Sequence, residues 1–336
     1  MSNFKLFKLL CLTGLLALSA SSLFACAGPA TDYKPSGLPG LIAYTSDLDQ
    51  ALHIYTISPD GTDTRLISSE NQTWDGLPRW SPDGSKMVFT SNRSGNYEIW
   101  SMNADGSDRR KLTIRPNWDG LPRWSPDGTK IVFVGVIHDK DGAQSLEIFS
   151  INSDGSNLRQ LTDSTTLKTH DESASAEVGH SHEHEKMAWN SVPTWSPDGS
   201  KILFSSNRDG DSVTPILYTM NPDGSDQKKF GLFMDADGSD PDWSPVTNKI
   251  VWTRGTAAKG DIWVMDASSP LPMLTAKKVT ETIDDHRNPV WSPDGTQIVF
   301  VSDANGNRDI YIMNADGSNI HRLTYGKSNN VSPAWR

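Results

Sequence analysis

Six copies of a short phrase, Pro-x-Trp, organise this chain of 336 residues. The copies recur at intervals of 44, 71, 48, 48 and 44 residues, and four of them continue as Ser-Pro-Asp-Gly. A period of about 40–50 residues, with strand-like sequence between the copies, is typical of a β-propeller with one sheet per repeat. The prolines that open the copies are Pro78, Pro122, Pro193, Pro241, Pro289 and Pro333.

One repeat can be divided into four strands. Leu77–Trp80 predicts a short inner strand, followed by a tight Ser-Pro-Asp-Gly turn. The alternating segments 86–91 and 97–102 predict the second and third strands, and the charged segment 109–113 suits an exposed outer edge. In the fifth repeat, Ser-Pro-Val-Thr-Asn replaces the turn phrase, and we expect Asn248 to adopt the left-handed conformation that glycine provides elsewhere.

The two ends of the chain complement each other. The first repeat opens at Gly40 without a Pro-x-Trp phrase, and residues 41–46 match the second strand of the other repeats. The chain ends on residues 331–336, which match an inner strand and nothing more. We therefore predict an all-β fold over residues 40–336, a six-bladed β-propeller with four-stranded antiparallel blades that is closed by the C-terminal strand. Closure of this kind removes two open sheet edges.

These repeats resemble the TolB-type propeller, a WD-like family of bacterial envelope proteins. The resemblance rests on the Pro-x-Trp-Ser-Pro-Asp-Gly phrases and on Asn-Ala-Asp-Gly-Ser or Asn-Pro-Asp-Gly-Ser at 103–107, 221–225 and 314–318. It implies an envelope location and an envelope-protein partner, such as a peptidoglycan-associated lipoprotein. TolB itself has an α/β domain before its propeller that contacts the inner-membrane part of the Tol system. No matching segment precedes this propeller, so the expectation does not extend to the Tol role.

The N-terminal segment predicts export. Two lysines precede an apolar stretch over residues 9–24, as in a signal peptide, and Leu-Phe-Ala-Cys at 23–26 resembles a lipobox. We expect a lipoprotein signal over 1–25, lipidation and membrane attachment at Cys26, and a flexible tether over 26–39. The alternatives are cleavage after Ala27, which releases a soluble protein, and an uncleaved anchor. The second cysteine, Cys11, lies within the apolar stretch, so no disulfide is expected in the mature domain.

The residues before each proline are expected to converge on one mouth of the central channel. They form a ring of polar and acidic side chains with three tryptophans on one arc, a combination that favours recognition of a peptide or a glycan. The alternative is a narrow channel mouth filled with water. The predicted ligand-binding channel mouth consists of Trp74, Asp75, Trp118, Asp119, Trp189, Asn190, Asp240, His286, Arg287 and Asn330.

Three further sets of repeated residues have simpler explanations. Arg79 and Arg123 each follow a proline and are candidates for lining the bore. Turn chemistry explains the Asp-Gly pairs, of which Asp83 is the first. The tryptophans of the six phrases are expected to pack between adjacent blades, not to stack on a ligand; they are Trp80, Trp124, Trp195, Trp243, Trp291 and Trp335.

Two segments could hold a metal ion, although no cofactor is expected to be required. Four carboxylates, Asp235, Asp237, Asp240 and Asp242, suggest a calcium site in the channel, with a solvated acidic loop as the alternative. An insertion over about residues 163–186 contains a His-x-His-x-His run that could bind zinc. Its alternative is a flexible loop with weak metal affinity, and the histidines are His180, His182 and His184.

The net charge and the absence of known catalytic motifs exclude several classes of function. The net charge is −10, from 41 acidic and 31 basic residues without a basic stripe, so we expect no nucleic-acid partner. The chain has no Gly-x-Ser-x-Gly motif and its mature part has no cysteine nucleophile. We predict a monomeric, non-catalytic envelope scaffold that binds a peptide or protein segment at the channel mouth. The alternative is a surface glycan-binding protein or a metal-dependent propeller lyase or hydrolase that uses His286.

Overall fold

The computed structural model describes residues 40–48, 51–68, 73–140, 142–164, 189–208, 215–231, 238–256 and 258–336. Within these ranges, 24 strands form six four-stranded antiparallel sheets. The innermost strands of neighbouring sheets contact one another all the way round, so the sheets surround a central channel. The predicted six-bladed all-β propeller is confirmed. The predicted signal peptide, Cys26, the tether and the three clustered histidines lie outside the described residues.

Each blade takes four consecutive strands, except that blade 1 combines β24 with β1–β3. In chain order the strands are β1 (Ile42–Ser46), β2 (His53–Ile57), β3 (Arg65–Leu66), β4 (Asp75–Trp80), β5 (Lys86–Ser91), β6 (Glu98–Asn103), β7 (Arg110–Lys111), β8 (Asp119–Trp124), β9 (Lys130–His138), β10 (Gln144–Asn152), β11 (Arg159–Gln160), β12 (Asn190–Trp195), β13 (Ile202–Ser206), β14 (Ile216–Met220), β15 (Lys228–Lys229), β16 (Ser239–Trp243), β17 (Lys249–Gly255), β18 (Gly260–Asp266), β19 (Lys277–Lys278), β20 (His286–Trp291), β21 (Gln297–Ser302), β22 (Asp309–Asn314), β23 (His321–Arg322) and β24 (Asn330–Trp335). A short 3-10 helix, Pro272–Thr275, precedes β19. Among the described residues, no helix has the length and apolar character needed to span a membrane.

Blade 2 shows how closely the strand boundaries follow the sequence pattern. Its second strand, Lys86–Ser91, has the predicted bounds, whereas its inner strand begins two residues earlier than expected, at Asp75. The outer strand is shorter than predicted and includes only Arg110 and Lys111. The inner strand is longer because Asp75 pairs with Ser91 before the tryptophan phrase begins.

The C-terminal strand closes the ring. In blade 1, β24 pairs antiparallel with β1, with Trp335 opposite Ile42 and Asn330 opposite Ser46. The backbone N–H of Arg336 then donates to the carbonyl of Leu41 at 3.2 Å. Blade 1 is therefore built from both ends of the propeller, as the sequence predicted.

A β-bulge interrupts each of the six inner strands at the residue before the proline. From Asp75 to Arg79 the inner strand advances four residues while its partner advances three, from Ser91 to Val88. The residue before each proline has a positive φ, close to +50°, although none of the six is glycine. A bulge re-aims the side chains on either side of it. The six residues are Leu77, Leu121, Val192, Asp240, Asn288 and Ser332.

The inner-strand tryptophans pack against the preceding blade, as predicted. Trp80 of blade 2 lies in one apolar cluster with Ala43 and Ile54 of blade 1. Trp335 of blade 1 likewise packs with Val299 of blade 6. The same relation holds around the ring, so the blade-to-blade contact is a repeated aromatic seam.

The tight turns after the tryptophans are held by their own side chains. The Ser81 hydroxyl donates to Asp83 at 2.6 Å and accepts the backbone N–H of Lys86 at 2.9 Å. Hydrogen bonds from Ser81 and Ser85 lower the pKa of Asp83 to about 2. This contact set supports a structural role for the Asp-Gly pairs.

The turn of the fifth repeat differs from the prediction. Asn248 does not adopt the left-handed conformation, so that expectation was wrong. The Ser244 hydroxyl instead accepts the backbone N–H of Thr247 at 3.1 Å, which forms the turn without a left-handed residue. The Asn248 side chain accepts the indole N–H of Trp243 at 2.8 Å.

Removing residues 330–336 tests the closure. We expect the shortened chain to lose its cooperative melt, or to melt more than about 10 °C lower, because blade 1 loses its inner strand and the Trp335 seam. A control that lacks residues 1–39 should melt as the full chain does. Equal melting temperatures for the full chain and the chain without β24, measured by circular dichroism, would contradict closure by this strand.

Candidate functional site

The polar residues that open four of the inner strands are buried between blades. Asp75, Asp119 and Asn190 are 0% exposed and Asn330 is 2% exposed. These positions were predicted to present side chains at the channel mouth. Their burial means that their side chains offer no free surface in this structure, and ligand binding by them remains a prediction.

Asn190 belongs to a buried hydrogen-bond set that joins blade 3 to blade 4. Its amide donates to Glu147 at 2.9 Å and to the Ser164 hydroxyl at 2.8 Å. The Thr162 hydroxyl donates to the same carboxylate at 2.6 Å. We call such a set a polar seam: an acidic residue of the third strand, a threonine after the outer strand, and the first residue of the next inner strand.

The polar seam recurs where blade 6 meets blade 1. There Asp309 accepts the Thr324 hydroxyl at 2.9 Å and the Asn330 amide at 3.2 Å. Arg322 also forms an ion pair with Asp309 at 2.6 Å. Buried carboxylates require such partners, so Asn330 has a structural task in the ring.

At the seam between blades 2 and 3, an aspartate occupies the position that asparagine takes in the two seams above. Burial raises the pKa of Asp119 to about 6, against the lowering effect of Arg115, whose guanidinium forms an ion pair with it at 2.5 Å. The nearby carboxylate of Glu98 adds to the increase. Two carboxylates, those of Glu98 and Asp119, therefore share one polar seam.

The inner strand of blade 2 also opens on an aspartate. There Asp75 forms an ion pair with Arg93 at 2.8 Å.

The three tryptophans of the predicted channel mouth are half-buried. Trp118 and Trp189 pack against a small apolar cluster of blade 3. The ring of Trp74 packs edge-on against Tyr97 with centroids 5.3 Å apart. A Cβ added to Gly120 would lie 2.3 Å from the Trp118 ring, so the glycine allows this ring to lie over the strand.

The remaining residues of the predicted mouth are also mostly enclosed. The imidazole Nε2 of His286 lies 2.6 Å from the Thr282 hydroxyl, and its ring packs edge-on against Phe300. Burial lowers the pKa of His286. Arg287 is 5% exposed and donates to Asp285 at 2.7 Å.

Replacing Asp119 by asparagine tests the electrostatic account of its seam. The folded pKa of about 6 lies above the unfolded value of 3.8, so the folded state binds more protons. The contribution of Asp119 to the free energy of unfolding therefore falls as pH rises from about 4 to above 6. Relative to the wild type, Asp119→Asn should gain about 1–3 kcal/mol between about pH 4.5 and pH 7.5.

Urea unfolding of both proteins at the two pH values measures this gain. Other groups that titrate in the same pH range, such as Asp240, are present in both proteins, so their contributions drop out of the difference in free energy of unfolding. An identical pH dependence in the two proteins would contradict the raised pKa.

At the opposite end of the channel, the six inner strands end at their tryptophans around a cavity of about 800 Å³. Ligand pockets commonly have volumes of about 300–1,000 Å³. The turn prolines form its rim; Pro82, Pro126, Pro245 and Pro293 are exposed and Pro197 is half-buried. We call this cavity, with its tryptophans, prolines and the residues between proline and tryptophan, the tryptophan funnel.

The residues between proline and tryptophan all line the tryptophan funnel. Around the ring they are Arg79, Arg123, Thr194, Asp242, Val290 and Ala334. Arg79 and Arg123 thus line the bore as predicted. Arg336 adds a third cation, because its guanidinium lies 4.3 Å from the centre of the Trp80 ring.

Opposite charges share the interior of the channel. Burial lowers the pKa of Arg123, and the carboxylates of Asp242 and Asp240 oppose that effect. Burial raises the pKa of Asp240 to about 6, opposed by Arg287 and Arg123. The structure therefore brings Asp240, Arg287 and Asp242 of the predicted sites into one electrostatic group with Arg123.

The predicted metal sites remain predictions. Asp235, Asp237 and the histidines His180, His182 and His184 lie outside the described residues. Across the part of the chain that the structure describes, no three His, Cys, Asp or Glu residues come together as a metal-binding group. Asp242 also accepts the backbone N–H of Trp291 at 3.0 Å.

Comparison with known proteins places this architecture in a family. A family model described as the TolB beta propeller domain matches residues 15–178 and 234–336, which is more than half of the chain. The chain belongs to the TolB beta-propeller family. The predicted resemblance is thereby confirmed.

Individual TolB relatives match over short stretches. Over 61 residues the chain is 39% identical to the TolB homolog of Chlorobium luteolum, a match that covers 18% of this chain and 14% of the relative. Over 86 residues it is 35% identical to the Tol-Pal system protein TolB of Anaeromyxobacter dehalogenans, covering 26% of this chain and 16% of the relative. The matches thus span less than a quarter of these relatives.

A solved TolB structure shares the fold over most of the chain. TolB from Acinetobacter baumannii superimposes with a TM-score of 0.67 at 20% identity. The superposition covers 90% of this chain and 67% of that chain. At this identity the likeness concerns the fold alone.

Only some of the charged residues that line the tryptophan funnel could be predicted from the sequence. The two arginines could be found because they follow a proline in aligned repeats. Asp242 occupies the same position, although its acidic neighbours in the sequence suggest a calcium loop, and the repeat pattern does not indicate Arg336. Aligning the residue between proline and tryptophan in all six copies would have revealed the ring.

Proposed function

We propose that this TolB-family propeller is a non-catalytic binding protein of the bacterial cell envelope that holds a peptide or protein segment in the tryptophan funnel. The observation that carries the proposal is the funnel itself, an open cavity of about 800 Å³ walled by six indole rings and containing arginine side chains. Tryptophan and arginine are the side chains most enriched among the residues that dominate protein–protein binding energy.

Two observations support a location in the cell envelope. One relative bears the name Tol-Pal system protein TolB, although this chain matches only 16% of its length. The other is the predicted lipoprotein signal, with lipidation at Cys26. We propose a lipid-anchored monomer whose partner is an envelope protein, such as a peptidoglycan-associated lipoprotein.

The non-catalytic assignment rests on the surroundings of His286. The metal-dependent alternative required this imidazole to face the channel and bind a metal ion. Its Nε2 is instead 2.6 Å from the Thr282 hydroxyl, and the residue is 4% exposed. The burial of the ring supports a structural role, and its Nδ1 is also buried, with no hydrogen-bond partner among the described residues.

Site-specific photo-crosslinking in cells that produce the full chain tests the proposal. A benzophenone amino acid replaces Pro126 at the funnel rim. Controls carry it at Ile114, an 85% exposed residue close to the start of β8, or at Lys277 on an outer strand. We expect one envelope protein to be crosslinked from position 126 and from neither control, and its bound segment to be recovered uncleaved.

Two outcomes would contradict this function. Crosslinking from position 114 alone would place the partner at the opposite end of the propeller, near the start of β8. A crosslinked segment recovered in cleaved form, or a crosslinked glycan in place of a protein, would favour the enzymatic or glycan-binding alternative.

A further inference from the structure

Arg79 is one of the cations in the funnel wall. It is half-buried, and its Nη1 donates to the carbonyls of Pro78 at 2.6 Å and Pro333 at 3.0 Å. Its Nε is buried and has no hydrogen-bond acceptor. Among the described residues, no carboxylate forms an ion pair with it. A desolvated guanidinium without a counter-ion is costly, and pairing with a carboxylate relieves that cost.

Arg123 provides an internal comparison, because it occupies the same position in the next blade. The carboxylates of Asp242 and Asp240 interact with Arg123 electrostatically. These carboxylates only partly offset the burial of Arg123, and its Nε, like that of Arg79, has no hydrogen-bond partner among the described residues. Because Asp242 and Asp240 already act on Arg123, Arg79 is the better placed of the two to pair with an external anion.

The groups next to Arg79 in the strand and in blade 1 are apolar or cationic, while the turn carboxylate of Asp83 lines the funnel beyond Trp80. Trp80 follows it in the strand, and the guanidinium of Arg336 lies over the Trp80 ring. On the other side of Arg79, blade 1 contributes Ala334 and Trp335 to the funnel wall. An anion with apolar groups on either side would match this wall in both charge and shape.

We propose that the segment held in the funnel carries a carboxylate that pairs with Arg79, flanked by apolar residues that contact the tryptophans. This inference rests on the proposed function and names the chemistry of its ligand. The carboxylate belongs either to an aspartate or glutamate side chain or to the C-terminus of the partner chain. The planar guanidinium accommodates both, through paired N–H···O hydrogen bonds.

Two synthetic libraries of random peptides, each about ten residues long and so able to cross the funnel, distinguish the two sources. One library has free C-termini and the other has amidated C-termini. Peptides captured by the full-length protein are identified by mass spectrometry. Enrichment of aspartate or glutamate in the amidated library indicates a side-chain carboxylate. Capture from the free-acid library alone indicates a terminal one.

A double-mutant cycle then tests Arg79 itself. Exchanging the carboxylate of the best peptide for an amide should weaken binding about 10- to 100-fold, the loss expected for a charge-assisted hydrogen bond. Arg79→Gln should weaken binding of the carboxylate peptide similarly and bind both peptides alike. Arg79→Lys should retain part of the preference. Arg110→Gln, on an exposed outer strand, should change nothing.

The comparison of the carboxylate peptide with its amide counterpart uses the wild-type protein, so the inference remains testable if Arg79→Gln does not fold. Captured peptides without carboxylate enrichment, or equal binding of the two matched peptides, would overturn the inference and leave the proposed function intact. Capture of no peptide from either library would overturn both.

Discussion

The packing of each inner-strand tryptophan on the preceding blade is the contact on which the ring depends. The two cysteines, Cys11 and Cys26, both lie outside the described residues, so no disulfide ties the blades together. Trp80, Trp195, Trp291 and Trp335 are 2–8% exposed. Burying an aromatic side chain of this size contributes about 3 kcal/mol at each of these four contacts, and less at the half-buried Trp124 and Trp243. Closure through β24 allows the last of these contacts to form.

Much of the fold could be predicted because the propeller repeats its local chemistry. The period, the Ser81–Asp83 turn and the incomplete first repeat predicted six blades and the closing strand. The polar seams could not be predicted in the same way. Asn190 and Glu147 are 43 residues apart and meet only when two blades pack together. Polar residues before a strand therefore looked exposed in the sequence, whereas the structure buries them.

The two ends of the channel have different chemistry. At the channel mouth, polar residues such as Asp119 and Asn330 hold neighbouring blades together. At the funnel, the half-buried Trp124 and Trp243 and the edges of the four more deeply buried tryptophans surround a cavity, and the arginines between proline and tryptophan line the bore. The Pro-x-Trp phrase thus supplies both the tryptophan contacts between blades and the walls of the candidate site. The bulge at residues such as Leu77 separates the two ends, because it shifts the strand register between them.

The structure of the protein bound to its crosslinked envelope partner is the most direct test of this account. Electron cryomicroscopy or crystallography of that complex would locate the partner on the ring. We predict a partner segment inside the tryptophan funnel, with a carboxylate against the guanidinium of Arg79. A partner seated over the channel mouth, with the funnel filled by water alone, would contradict it.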